Sequence, residues 1–206
     1  MVEELRQATR RLDVGSIERI LDEAFAAERF EAATATVVYP ALRAIGEDWA
    51  SGAIDVAMEH AASETIRRRL ARFYDAAVDR SSSFDVIVGL PPGSRHEIGA
   101  MGFAVAARRR GLGVLYLGAD VPVGSWVRTA DAMRPAVAIL GAAGDADVSA
   151  GLDVVRALLA SSSRPVVAAG GRAAGRLAAA AADVVALPEP MDAAVEVVHG
   201  LVRARA

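Results

Sequence analysis

The sequence predicts two domains in tandem, an N-terminal four-helix bundle followed by a doubly wound, five-stranded parallel sheet, which together make an α + α/β protein. Three observations support this. Apolar residues recur every three or four positions over the first 80 residues. Beyond them, short β-branched runs alternate with helical stretches. A polar Arg-Ser-Ser-Ser segment at 80–83 separates the two patterns, so we place a bundle over 1–80 and a sheet domain over 81–206.

The first half has helix start and stop signals at short intervals. Asp13 and Ser16 predict a capped start for a second helix, and the Ser51-Gly52 pair predicts a turn before a fourth helix begins near Asp55. The apolar stripes between these signals are Ile17, Ile20, Leu21, Ala24 and Phe25, then Val37, Val38, Ala41, Leu42 and Ile45. Four helices in about 80 residues leave only short loops, which is typical of a compact bundle.

The second half contains five nearly all-apolar runs, as expected for parallel strands covered on both faces. These runs are 84–90, 113–117, 136–140, 165–169 and 183–187. The common flavodoxin-like strand order 2-1-3-4-5 would place a ligand crevice at the carboxyl ends of strands one, three and four, beside the point where the strand order reverses. The loops there are 91–97, 141–147 and 170–173.

The composition excludes several functions. A net charge of -3 disfavours a general binder of nucleic acids or anionic membranes. The chain has no Cys, which excludes disulfides and thiolate chemistry, and no Lys, which excludes Schiff bases and a P-loop. Its charged N-terminus does not resemble a signal peptide, and no apolar run is long enough to span a membrane, so we expect a cytoplasmic protein.

One crevice loop carries a histidine motif. The segment Ser94-Arg95-His96-Glu97-Ile98-Gly99 follows the first strand, and 41 residues separate it from Gly141-Ala142-Ala143 after the third. A further 26 residues lead to Gly170-Gly171 after the fourth strand. A histidine at this position can serve as a neutral metal ligand. In spacing and strand context, the three segments resemble the D-x-H-x-x-G, S-x-L and Gly-Gly motifs of cobalamin-binding domains of the methionine-synthase type.

This resemblance implies that His96 is the lower axial ligand of cobalt and that Gly99 permits close approach at the helix. It also implies a slot for the nucleotide tail, lined by Gly141, Ala142, Ala143, Gly170 and Gly171. Ser94 stands where many members have Asp. Its hydroxyl can accept from His96 Nδ1 but supplies no charge, so we expect weaker bonding of the histidine to cobalt. Gly141-Ala142-Ala143 keeps the small size of S-x-L without its hydroxyl.

A second signature lies in the helical half. Trp49 is followed, after nine residues, by Glu59-His60. This resembles the W-x9-EH motif in the helical cap of the light-sensing adenosylcobalamin regulators, the CarH and LitR type of photoreceptor. The resemblance implies that Trp49 and Glu59 hold the 5'-deoxyadenosyl group and that His60 takes the upper cobalt position after photolysis. It therefore implies a non-enzymatic photosensory module with adenosylcobalamin as chromophore.

The same resemblance shapes our expectations about partners. Those regulators begin with a MerR-type DNA-binding domain, whereas here the bundle begins almost at Met1. We therefore expect no direct DNA binding by this chain, but a homo-oligomer that signals through a protein partner. The alternative is a corrinoid carrier of a methyltransferase system, which would hold methyl- or hydroxocobalamin on the same His96. A third interpretation is a doubly wound domain that binds another nucleotide without metal.

Two further groups of charged residues suggest other functions. The arginine runs 67–69 and 108–110 are typical of solvated or subunit-contacting helix surfaces and of a helix C-terminus, rather than of a nucleic-acid site. Asp120, Asp145 and Asp147 lie at strand ends and suggest a receiver-like acidic pocket. However, no acidic cluster follows the first strand and the chain has no lysine, so we do not expect such a pocket.

Overall fold

The structure, a computed structural model, describes residues 1–77 and 84–205. The chain divides into two compact units, Met1–Asp75 and Ala76–Ala206. The polar segment at 80–83, where we place the domain boundary, lies outside the described residues. Each unit is therefore described by itself.

The first unit is helical. Its elements are α1 (Val2–Arg10), α2 (Val14–Ala27), α3 (Phe30–Ala33), a π-helical turn (Thr34–Val38), α4 (Tyr39–Ala50) and α5 (Val56–Ala76). Because α3, the π turn and α4 follow one another without a break, the unit has four helical segments, as predicted. The predicted starts are also confirmed: Asp13 accepts from the Ser16 N–H at 3.0 Å, and Asp55 accepts from the Met58 N–H at 2.9 Å.

The π turn has a local cause. Pro40 has no N–H to donate to a carbonyl one turn earlier, so the regular ladder is interrupted there. The Tyr39 N–H donates instead to the carbonyl of Thr34, five residues back, which is the π pattern. Burial of Tyr39 raises the pKa of its phenol well above the usual range.

A buried carboxylate of α4 links this helix to α1. Asp48, in α4, is only 3% exposed, and its two oxygens accept from Arg6 and Arg10 of α1. The four donor–acceptor distances lie between 2.6 and 2.9 Å. Hydrogen bonds from the guanidinium groups of Arg10 and Arg6 hold the pKa of Asp48 well below its usual range.

The second unit is a parallel sheet flanked by helices. In chain order its elements are β1 (Val86–Gly89), α6 (Ile98–Arg109), β2 (Val114–Gly118), α7 (Val123–Met133), β3 (Val137–Gly141), α8 (Asp145–Ala160), β4 (Val166–Gly170), α9 (Ala174–Ala180), β5 (Val184–Ala186) and α10 (Met191–Arg203). The strand order is β2-β1-β3-β4-β5 and every pairing is parallel. The predicted flavodoxin-like class is therefore confirmed.

Aliphatic side chains build the core of this sheet. All four residues of β1 are buried, as are the first four of β3, because helices cover both faces. Trp126 of α7 is fully buried and packs against β1, where a Cβ on Gly89 would meet its ring at 3.1 Å. Among the described residues, no helix is long and apolar enough to cross a membrane.

Candidate functional site

His96 lies in the loop between β1 and α6, at the carboxyl end of the sheet. Its side chain is exposed, and α6 begins two residues later. Ser94, by contrast, is buried, with 3% of its surface exposed, and its Oγ has no hydrogen-bond partner in the described part of the chain. The hydrogen bond expected between the Ser94 hydroxyl and His96 is therefore not made, because one side chain is buried while the other is exposed to solvent.

The loops after β3 and β4 are joined through their backbones. The Ala142 N–H donates to the Gly170 carbonyl at 2.8 Å, and the Ala142 carbonyl accepts from the Ala173 N–H at 3.0 Å. Gly171 has a φ of +97°, and a Cβ there would lie 2.5 Å from the Ala142 oxygen. Ala142 is buried, so it joins the two loops rather than presenting a side chain to a ligand, while Ala143 and Gly170 are half-buried.

The aspartates at the strand ends do not form an acidic pocket. Asp147 is buried, and its Oδ2 accepts from the N–H groups of Ala143 and Gly144 at 2.7 and 3.0 Å. Asp145 pairs with Arg176 at 2.9 Å, and Asp120 accepts from the Gly93 N–H at 2.7 Å. Each of these carboxylates thus has a partner within a loop or at a helix of the sheet unit.

The arginine runs contribute to surface ion pairs and a helix end. Arg67 pairs with Glu64 at 2.8 Å, Arg69 pairs with Asp22, and α6 ends at Arg109. Arg110 pairs with Glu196 of α10. These partners are acidic side chains of the chain's own surface.

In the helical unit, the predicted residues flank one turn. Trp49 lies near the end of α4 and is 52% exposed, whereas Glu59 and His60 lie in the first turns of α5. His60 Nδ1 is 2.7 Å from Glu59 Oε2, and the His60 side chain is 73% exposed. With the proton on Nδ1, the Glu59 carboxylate accepts a hydrogen bond from Nδ1–H, and the Nε2 lone pair is left free for a metal.

Two hydrogen bonds at or beside the candidate residues were not predicted from the sequence. The Ser63 hydroxyl donates to Glu59 Oε1 at 2.5 Å, so both oxygens of Glu59 are held. Ser63 follows Glu59 by four residues, and this spacing, which brings side chains together on a helix, was the sequence signal for the contact. Tyr116 of β2 donates to Glu97 Oε2 at 2.8 Å beside His96, and only the strand order brings these two residues together.

The residues of the sheet unit fit a cobalamin. A cobalt ion held by a corrin ring needs only axial protein ligands, and an exposed imidazole such as that of His96 has the required chemistry. Gly99 is exposed, and a Cβ there would meet no atom within 4 Å, so α6 leaves space beside the loop. Within the same loop, the buried Ser94 oxygen is a polar group without a hydrogen-bond partner among the described residues.

Comparison with known proteins gives matches to both units. Residues 1–74 match the family model described as B12 binding domain. The chain is 35% identical over 133 residues to the HTH-type transcriptional repressor CarH of Myxococcus xanthus, which covers 65% of this chain and 44% of the relative. The repressor CarA of the same organism is 33% identical over 129 residues, covering 63% and 43%. The chain thus spans less than half the length of these curated relatives.

Solved structures match the fold over nearly the full length of the chain. A cobalamin-binding protein from Desulfitobacterium hafniense DCB-2 covers 98% of this chain and 98% of its own, with a TM-score of 0.53 and 20% identity. The monomethylamine corrinoid protein of Methanosarcina barkeri covers 94% of both chains, with a TM-score of 0.75 and 15% identity. At these identities the matches show the fold alone.

The chain thus has a helical unit that matches a B12 binding domain and a sheet unit with the flavodoxin-like strand order. The chain is similar to the repressors CarH and CarA, so the resemblance predicted from the sequence is confirmed. Both of these relatives are named as transcriptional repressors.

Proposed function

We propose that this chain is a photosensory cobalamin-binding module with adenosylcobalamin as chromophore, which responds to light by changing its assembly or its contact with a partner protein. The observation that carries the proposal is the exposed Trp49 together with the exposed His60 held by Glu59, in a helical unit that matches the B12 binding domain. Similarity to CarH supports the regulatory class.

In this proposal His96 is the lower axial ligand. This role is supported by the position of its imidazole, which is exposed in the loop at the carboxyl end of β1. Gly99, Gly141, Ala143, Gly170 and Gly171 accommodate the cofactor because small residues let a ligand approach the backbone closely. Ala142 contributes through the hydrogen bonds that hold the loops after β3 and β4 together.

Bound adenosylcobalamin supplies a cobalt–carbon bond that light breaks. Trp49 offers an exposed aromatic face for the adenosyl group, and Glu59 offers a carboxylate to its hydroxyls. His60, with Nδ1 held by Glu59, would bind the cobalt after light has removed the adenosyl group. This exchange of ligands would change the local charge and packing, and that change would favour a different assembly or a different contact with the partner protein.

A corrinoid carrier is the second candidate. The observation that favours it is the TM-score of 0.75 against the monomethylamine corrinoid protein over nearly the whole of both chains. Such a carrier would use the same His96 but would hold methyl- or hydroxocobalamin and leave the upper cobalt face open to a substrate. His60 would then have no function as a ligand.

Absorption spectra in the dark and after green light distinguish the two candidates. The protein is loaded with adenosylcobalamin or methylcobalamin, and the wild type is compared with His96→Ala, His60→Ala and the control His199→Ala, which changes a half-buried histidine of α10. Size-exclusion chromatography in the dark and in the light reads the assembly.

For the sensor, the dark spectrum of the wild type shows histidine ligation that His96→Ala abolishes. Light then yields a stable two-histidine spectrum that His60→Ala cannot form, while His199→Ala behaves as the wild type. For the carrier, methylcobalamin is retained, His60→Ala has no effect and light releases the product. Failure of the wild type to bind any cobalamin would reject both functions.

A further inference from the structure

The loop that carries His96 is held by the loop that follows the neighbouring strand β2. Asp120 Oδ1 accepts a hydrogen bond from the Gly93 N–H at 2.7 Å. The Asp120 N–H donates in turn to the Ser94 carbonyl at 2.9 Å. One residue thus fixes two consecutive positions of the loop, just before Arg95 and His96.

A second contact holds the other side of His96. The Tyr116 hydroxyl donates to Glu97 Oε2 at 2.8 Å, and Tyr116 belongs to β2. The imidazole therefore lies on a short segment that is anchored at both ends, at residues 93–94 and at Glu97. Both anchors come from β2 and the loop after it.

Asp120 adopts an uncommon backbone conformation to make these contacts. Its φ is +51°, in the left-handed region, which costs free energy in any residue with a Cβ. Asp and Asn tolerate this region better than other side chains. The conformation lets one residue offer both its carboxylate and its N–H to the His96 loop.

We propose that Asp120 is the positioning residue for His96. The inference rests on the proposed function, in which His96 is the cobalt ligand. A ligating histidine needs an oriented ring, and a neighbouring carboxylate often supplies this orientation. Here Ser94 stands at that position and its Oγ has no partner, so the orientation comes from the fixed backbone of the loop instead.

Two substitutions separate the carboxylate from the backbone conformation. Asp120→Gly removes the acceptor for the Gly93 N–H, yet it relaxes the positive φ and keeps the N–H that donates to Ser94, so the variant is expected to fold. Asp120→Asn keeps both an acceptor oxygen and tolerance of the left-handed region. Arg134→Gly is the matched control, since Arg134 is another left-handed residue, at the end of α7.

The first measurement is hydrogen exchange at the Gly93 amide by NMR, without cobalamin. We expect exchange to be about tenfold faster in Asp120→Gly, the effect of losing one charge-assisted hydrogen bond. Exchange in Arg134→Gly should match the wild type, and Asp120→Asn should fall between the wild type and Asp120→Gly, because its neutral amide oxygen accepts a weaker hydrogen bond. An unchanged Gly93 rate in Asp120→Gly would overturn the proposal, because the loop would not depend on the carboxylate.

The second measurement is the dark absorption spectrum with adenosylcobalamin, which reports the ratio of histidine-ligated to histidine-free cofactor. We expect this ratio to fall about tenfold in Asp120→Gly and less in Asp120→Asn, with Arg134→Gly unchanged. A wild-type ratio in Asp120→Gly, while His96→Ala alters the spectrum, would overturn this inference alone. A spectrum that His96→Ala does not change would overturn the proposed ligand, and the role of Asp120 with it.

Discussion

Replacing Gly171 by alanine tests whether the loops after β3 and β4 are locked together as the structure indicates. Gly171 has a φ of +97°, and an added Cβ would lie 2.5 Å from the Ala142 carbonyl oxygen and 3.2 Å from its carbon. Ala142 cannot retreat freely, because its N–H and carbonyl both take part in hydrogen bonds to the loop after β4. The substitution therefore strains the backbone and forces a packed loop to move.

The expected loss follows from these two effects. A left-handed conformation costs an L-residue roughly 1–2 kcal/mol. Displacing close-packed atoms adds about 1–3 kcal/mol. We expect Gly171→Ala to destabilise the sheet unit by about 3 kcal/mol, which lowers a urea midpoint by about 1.5 M for a typical small domain.

Tryptophan fluorescence can follow this unit alone. Trp126 is fully buried in the sheet unit, and the only other tryptophan, Trp49, lies in the helical unit, so a Trp49→Phe background leaves a single reporter. Gly175→Ala is the control, since a Cβ there meets no atom within 4 Å and the residue is helical. Its midpoint should stay equal or rise slightly. A Gly171→Ala midpoint equal to that of the parent would refute the reasoning.

Three further predictions concern single residues. Asp48→Asn should destabilise the helical unit by about 2 kcal/mol, because a neutral amide accepts weaker hydrogen bonds from the two guanidinium groups. Unfolding followed by circular dichroism measures this loss. The control Glu23→Gln, at an exposed ion pair, should change the stability little. Because the pKa of Asp48 is lowered by folding, its contribution is complete above about pH 4 and disappears as the pH falls below that value. Acid titration should therefore destabilise the parent more than Asp48→Asn, and equal losses would contradict the prediction. Gly99→Ala should leave stability equal or slightly higher but weaken adenosylcobalamin binding at least about tenfold, and unchanged affinity would exclude Gly99 from the site.

Elements that depend on local sequence were predicted well. Each of the five strands overlaps its predicted apolar run, with three extending one residue beyond it, and Asp13 and Asp55 cap helices where expected. The strand order is also the one predicted, since alternating strands and helices restrict the chain to few parallel topologies. The π turn before Pro40 was not predicted, because it depends on how a missing N–H is compensated.

The sequence was enough to select the candidate site residues, but it did not predict their contacts. Sequence alone determined the residue types and spacing around Trp49, Glu59-His60 and His96, because such motifs are local. The tertiary structure decided that Ser94 is buried away from His96 and that Asp120, 27 residues beyond Gly93, holds the histidine loop. Such hydrogen bonds join residues far apart in the chain, so their geometry exists only once β1 and β2 have paired.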